Sequence, residues 1–394
     1  MLNGAPENRS TALVVTIAAA VTVTVAFLVT TASSQNRFDY AECRFAAAAG
    51  LLEVHVNDEE GLVRRAGDRI LVRVPTGGPR IRYETVPCEG GQATVHNTDL
   101  IDFAVASSGG TQGRLSLGNG PFAPGLTDEG DASSEIELVA SIEREGTELR
   151  IEAADGRDDL RGGTTQDGNE VNLNPREDGE APDPDLRLAK TGKATLVFKT
   201  GGGRDLVRMN GGPEFAGPLD LRGFITAGLG PGRDHYAARL PLSLVRAGKG
   251  PDAVETGRRK DVVFAGPGDD RVTTRGGGDA ILPHFGRDQV WSGPGRDLVI
   301  AVDGDRDRIH CGPGRDRVIA DRRDQLIDCE GVARVRWDPG VGPSSSFGPK
   351  TAGSGCRGRS GASRARKQRR RLTEAARGGL VVLHGSARGL RPSC

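Results

Sequence analysis

Two hydrophobic rhythms divide the chain. Between residues 35 and 150, apolar and polar positions alternate in Leu52-Glu53-Val54-His55-Val56, Ile70-Leu71-Val72-Arg73-Val74, Ala93-Thr94-Val95-His96 and Leu100-Ile101-Asp102-Phe103-Ala104-Val105. A period of two predicts half-buried strands, and Gly77-Gly78 and Gly90-Gly91 supply the turns between them. From about Ala227 to Glu330 the rhythm lengthens to nine. An aliphatic residue returns at Val254, Val263, Val272, Ile281, Val290, Val299, Ile309, Val318 and Leu326. Two residues before each stands an aspartate: Asp252, Asp261, Asp270, Asp279, Asp288, Asp297, Asp307, Asp316 and Asp324, with successive steps of 9, 9, 9, 9, 9, 10, 9 and 8.

A nine-residue unit with one inward aliphatic side chain is too short to bury anything alone, so such units must stack on one another. Glycines recur where tight turns need them, in Gly266-Pro267-Gly268-Asp269-Asp270, Gly293-Pro294-Gly295-Arg296-Asp297 and Gly312-Pro313-Gly314-Arg315-Asp316. The residues around each aliphatic position are expected to be extended.

These G-x-G-x-D-x-U units, with U aliphatic, resemble the hemolysin-type (RTX) calcium-binding nonapeptide. The resemblance implies an all-β fold, a right-handed parallel β-solenoid or β-roll with a β-rich N-terminal region. In that family two nonapeptides make one coil, so units 18 residues apart share an edge. Asp252 would then pair with Asp270, and Asp270 with Asp288, on one edge. Asp261 with Asp279, Asp279 with Asp297, and Asp297 with Asp316 would pair on the other. Stacked carboxylates repel unless a cation lies between them, and calcium accepts about six to eight oxygens, carboxylate and backbone carbonyl alike. The metal-ligand role is carried over to the nine aspartates and to the turn residues Gly266, Gly268, Gly293, Gly295, Gly312 and Gly314. In the same register Cys311 and Cys329 lie one coil apart, within reach of a disulfide, and Cys43 with Cys88 form the natural second pair.

The sequence also departs from the family. Arg259 and Asp305 stand where the second turn glycine belongs; Arg275, His284 and Asp303 replace the first; and arginine precedes the aspartate at Arg233, Arg287, Arg296, Arg306 and Arg315. From Ala227 to Glu330, 15 Asp and 2 Glu face 15 Arg and 2 Lys, so the array is near neutral. This leaves two alternatives: fewer ions than repeats, or a metal-free stack whose edges are neutralised by arginine beside aspartate.

Composition and the chain ends set the context. A chain of 394 residues with 58 Gly and 4% aromatics suits a turn-rich repeat better than an aromatic-filled globule. Thr11 to Thr31 is uncharged and apolar, with Arg9 before it and Ala32-Ser33-Ser34 after, so residues 1–34 read as a cleaved signal peptide or an uncleaved membrane anchor. Either exports the rest, to the extracellular space or the cell surface, where disulfides form. Residues 35–150 form the N-terminal β-rich region. Residues 151–226 hold isolated repeat units at Asp158 and Asp205 around an exposed polar insertion from Asn172 to Asp185, and residues 227–338 are the array. Residues 339–394 carry 12 basic groups and one acid, Glu374, and read as an arginine-rich disordered tail or as sequence translated out of frame.

Catalytic signatures are absent. The six histidines form no H-E-x-x-H, and there is no G-x-S-x-G elbow and no phosphate-binding lysine loop. The expected function is non-catalytic calcium binding that stabilises the array. The expected partners are calcium ions and a cell-surface glycan or extracellular protein, with no nucleic acid and no membrane beyond an N-terminal anchor. A hydrolase with an unrecognised N-terminal site, or an adhesin, is the alternative.

Overall fold

The computed structural model describes residues 41–335, apart from 58–59, 77–81, 106–111, 119–121, 123–135, 143–145, 174–184, 190–192 and 214. The expected signal or anchor, the arginine-rich tail, Cys356 and Cys394 lie outside the described residues. The regular structure among the described residues is almost wholly strand, gathered into a 15-stranded and a 13-stranded sheet of mostly parallel pairs. No helix of the described residues is long and apolar enough to cross a membrane.

In the array the chain visits the two sheets alternately. Ala253–Glu255, Arg271–Thr273, Gln289–Trp291, Arg308–His310 and Gln325–Ile327 pair in parallel in one sheet. Val262–Phe264, Ala280–Leu282, Leu298–Ala301, Arg317–Ala320 and Gly331–Arg334 do so in the other. Val254 faces Val272, and Val263 faces Ile281, an offset of two nonapeptides. The ten-residue step between Asp297 and Asp307 passes into the register without breaking it, because Val290 pairs with Ile309 and Val299 with Val318. Each strand is three or four residues long, and all but the last two, Gln325–Ile327 and Gly331–Arg334, bury a middle aliphatic side chain. Val254, Val263, Val272, Ile281, Val290, Val299, Ile309 and Val318 are all buried. One aliphatic side chain per strand therefore builds a continuous core, at roughly 1.5–3 kcal/mol per buried residue.

The N-terminal region feeds the same two sheets through a different pattern. Leu51–Val56, Leu100–Val105 and Glu137–Ile142 form a parallel series in the 15-stranded sheet, and antiparallel hairpins are added in both sheets. These are Ala41–Ala46 with Leu51–Val56, Glu60–Ala66 with Arg69–Thr76, and Asp159–Thr165 with Gly168–Leu173. Three of the four segments with period-two alternation are strands. The fourth is not: Ala93-Thr94-Val95-His96 is a turn carrying one bridge to Arg69, because the Asn97 carboxamide accepts the Thr94 N–H at 2.6 Å and closes the chain on itself. The exposed insertion also shrinks at its N-terminal end, since Asn172 and Leu173 are buried at the end of Gly168–Leu173. Residues 174–184 lie outside the described residues.

Both inferred cystine bridges are present. Cys43–Cys88 has a Cα separation of 4.5 Å and Cys311–Cys329 one of 5.2 Å, the second joining neighbouring circuits of the array. Two disulfides fit an oxidising, non-cytoplasmic compartment.

Candidate metal centre

The aspartates form two files, one along each edge where the chain enters a strand. On the first edge the backbone N–H of each file aspartate donates to the Oδ1 of the aspartate in the next circuit. Asp234 reaches Asp252, Asp252 reaches Asp270 and Asp270 reaches Asp288, each at 2.8 Å, then Asp288 reaches Asp307 at 2.9 Å and Asp307 reaches Asp324 at 3.1 Å. On the second edge Ser243, Asp261, Asp279 and Asp297 donate in the same way to Asp261, Asp279, Asp297 and Asp316 at 2.7–2.9 Å. The expected pairs are therefore neighbours, and the files are welded by main-chain donors.

The first file extends further than the nonapeptide count suggests. The Asp158 N–H donates to Asp205 and the Asp205 N–H to Asp234, both at 2.9 Å, so the isolated units at 158 and 205 stack directly on the array. At the other end, the second file closes on a glutamate, with Asp316 N–H donating to Glu330 at 3.0 Å.

In the files one carboxylate oxygen is thus satisfied and the other is not, except at Asp324, whose Oδ2 accepts the Asp321 N–H at 2.8 Å. The Oδ2 atoms of Asp205, Asp234, Asp252, Asp261, Asp270, Asp279, Asp288, Asp297, Asp307 and Asp316 are buried without a hydrogen-bond partner. Five of the arginines that precede file aspartates do not serve them. Arg233, Arg287, Arg296, Arg306 and Arg315 form no ion pair with a file carboxylate among the described residues, so neutralisation by adjacent arginine lacks its contacts. A buried carboxylate without a counter-charge is costly and answers by holding a proton or a cation. Burial pushes Asp261 and Asp297 up to about 6, Asp252, Asp270 and Asp279 to about 7, and Asp307 to about 8, against the opposing pull of their backbone donors. Asp288 rises to about 9, from burial first and then from the carboxylates of Asp307, Asp270 and Asp303.

Asp288 marks the densest point. Carboxylate oxygens of Asp288, Asp303 and Asp307 all lie within 4.8 Å of one another, and all three residues are buried. Asp303 Oδ2 is without a partner as well, while its Oδ1 accepts the Asp305 N–H at 2.8 Å. Asp305 and Asp321 tighten the same bend by accepting the N–H groups of Gly286 at 3.2 Å and Gly304 at 2.8 Å. Asp303 was read from sequence as a defect in the glycine pattern. The run Asp303-Gly304-Asp305-Arg306-Asp307, with acids on alternate residues inside the one ten-residue step, is the signal that could have found it.

The turn glycines Gly266, Gly268, Gly293, Gly295, Gly312 and Gly314 stack beside the files. At Gly314 an added Cβ would lie 1.8 Å from the Gly295 carbonyl oxygen, and at Gly266, where φ is +112°, 1.8 Å from that of Gly248. Glycine lets successive turns approach until their carbonyls line the edge. His284 occupies one such position with a φ of 77°, which only a constrained non-glycine residue adopts. Buried carboxylate oxygens without donors, and the carboxylates gathered at Asp288, Asp303 and Asp307, are hard-oxygen donors of the kind that suits calcium rather than zinc or copper.

Comparison with protein-family models, with curated proteins and with solved structures finds no match for this chain.

Proposed function

We propose that this chain is an exported calcium-binding repeat protein, similar to the hemolysin-type family, whose paired sheets wind as a right-handed β-roll. The ion has a structural role, with no catalysis. The observation that carries this reading is the two rows of buried Oδ2 atoms without partners, one on each edge, with the carboxylates of Asp288, Asp303 and Asp307 gathered on the first. Calcium binding only to the stacked state would stabilise it by mass action, in an extracellular setting where calcium is abundant. The Asp288, Asp303 and Asp307 centre would fill first, because three carboxylates there share one small volume.

Calorimetric titration of the full chain with calcium tests this. Binding with release of protons is expected, because the raised carboxyls must ionise to ligate. The proton count, read from buffers of different ionisation enthalpy, should fall as pH rises from 6 to above about 9, where even Asp288 is already ionised. No heat of binding up to millimolar calcium would overturn the proposal.

A further inference from the structure

Upstream of the acidic bend the first edge changes character. Arg157, Arg204, Arg208, Arg233, His235 and Arg271 line an open pocket of about 500 Å³ on the flank of the 15-stranded sheet. Its shape follows from one circuit. Where the neighbouring circuits carry Arg233 and His235, or Asp269 and Arg271, the circuit of Asp252 carries Pro251 and Ala253, and these short side chains leave the hollow.

Its charge is unspent. Arg204, Arg208 and Arg233 make no ion pair among the described residues. The Arg271 guanidinium lies 4.5 Å from the Trp291 ring centroid, a contact that leaves its charge in place. Asp205, Asp234 and Asp252 sit beneath the pocket, but each is buried and has Oδ1 engaged by a main-chain N–H. Asp269 is the one acid at the rim, with Oδ1 accepting the Arg287 N–H at 2.9 Å. Arg204 and Arg233 precede the glycine bridge partners' aspartates on adjacent strands, about one strand spacing of roughly 4.8 Å apart along the edge. Two arginines carried on main chain at that pitch suit oxyanions, which accept paired N–H bonds. His235 lines the same pocket and offers a ring nitrogen to a hydroxyl.

We propose that this pocket binds an oxyanion-bearing extracellular glycan, with Arg204, Arg208 and Arg233 holding its sulfate, carboxylate or phosphate groups and His235 a ring hydroxyl. A nucleic-acid strand fits less well. No aromatic face lines the pocket for base stacking, and Trp291 is already occupied by Arg271 and by His310, stacked at 5.6 Å. The site stands apart from the calcium proposal, because its ligands are the outward arginines and not the buried carboxylates.

The test is titration of the full chain, at low ionic strength and with calcium present and absent, using a heparin hexasaccharide, its desulfated counterpart and a thymidine oligonucleotide of matched charge. The sulfated hexasaccharide should bind, and desulfation should weaken it by about tenfold or more. The double substitution Arg204→Gln with Arg233→Gln should weaken it to a similar degree. Arg296→Gln with Arg315→Gln, an equal charge change on the other edge, should leave it unchanged. Arg208→Gln alone should give a smaller loss, and circular dichroism of each variant establishes that the sheets persist. Equal losses in both double variants, unchanged binding on desulfation, or an oligonucleotide that binds as tightly with the same Arg204 and Arg233 dependence would each overturn the proposal.

Discussion

The N-terminal region and the array build the same two sheets from different materials. Between Ala41 and Ala189 the interior is filled by bulky side chains such as Leu52, Phe103, Leu115, Ile142 and Ile151. Charges there are matched across strands: Arg114 bonds both Glu60 and Glu152, and Tyr83 donates to Glu60 at 2.9 Å. In the array each strand contributes one valine or isoleucine, and the next buried layer is aspartate. The first region meets its folding requirement by apolar burial and paired charge. The second leaves a row of half-satisfied carboxylates and depends on whatever neutralises them, so its stability is a property of the solution as well as of the chain.

The largest expected difference between the regions is their response to calcium and pH. At a hundredfold excess over its Kd, each ion would add about 2.7 kcal/mol, so two or more sites outweigh any one substitution. In chelator the sign reverses with pH. A carboxyl whose folded pKa is raised stabilises the fold below about pH 4 and loses that contribution as pH rises to the folded value, about 7 for Asp270 and about 9 for Asp288. Thermal melts of the chelated protein should therefore show the array weakening from pH 5 to 9. With calcium the same range should strengthen it. A chelated array indifferent to pH would show that the buried carboxylates are neutralised some other way.

Next in size is a core truncation that touches only the N-terminal half. Phe103→Ala removes a fully buried ring and should cost about 3–5 kcal/mol in denaturant unfolding, equally with calcium or chelator. A calcium-dependent cost would mean that the two regions share one ion-linked transition. Removing the Cys311–Cys329 bridge by paired substitution to serine should cost about 3 kcal/mol, borne by the array alone. Reductant titrated into the unmodified protein provides the same reading without a mutation.

The smallest effect separates proton from metal. Asp288→Asn keeps the oxygen that accepts the Asp270 N–H but removes the charge. At pH 8 in chelator it should stabilise the array by on the order of 1 kcal/mol, and in calcium it should forfeit part of the ion's contribution. Loss of stability in both conditions would assign Asp288 a packing role only.

The array was legible because its period is carried by chemistry that tolerates little variation: an aspartate, then an aliphatic residue two positions on, and glycines where turns touch. That much, together with the two-unit coil implied by the resemblance to the hemolysin-type repeat, placed Asp252 over Asp270 and Cys311 against Cys329. The ends of the files were not legible, since Asp158, Asp205 and Asp234 are separated by 47 and 29 residues and join the file only after hairpins and strands intervene. Asp303 was hidden for the opposite reason. It lies inside the period but breaks its glycine rule, so a pattern reading scores it as decay while the fold uses it to complete a cluster. Ala93 to His96 misled because alternation reports which side chains are buried, and a turn closed by Asn97 can bury Ala93 and Val95 as well as a strand can.

Hydrogen exchange resolved by peptide, with calcium and with chelator, tests the central claim most directly. Peptides from residues 224–335 should gain protection on adding calcium, most strongly around Asp288 to Asp307, while those from residues 41–142 should exchange at the same rate in both. Uniform protection across the chain, or none that depends on calcium, would contradict a fold whose second half is held by ions at its buried carboxylates.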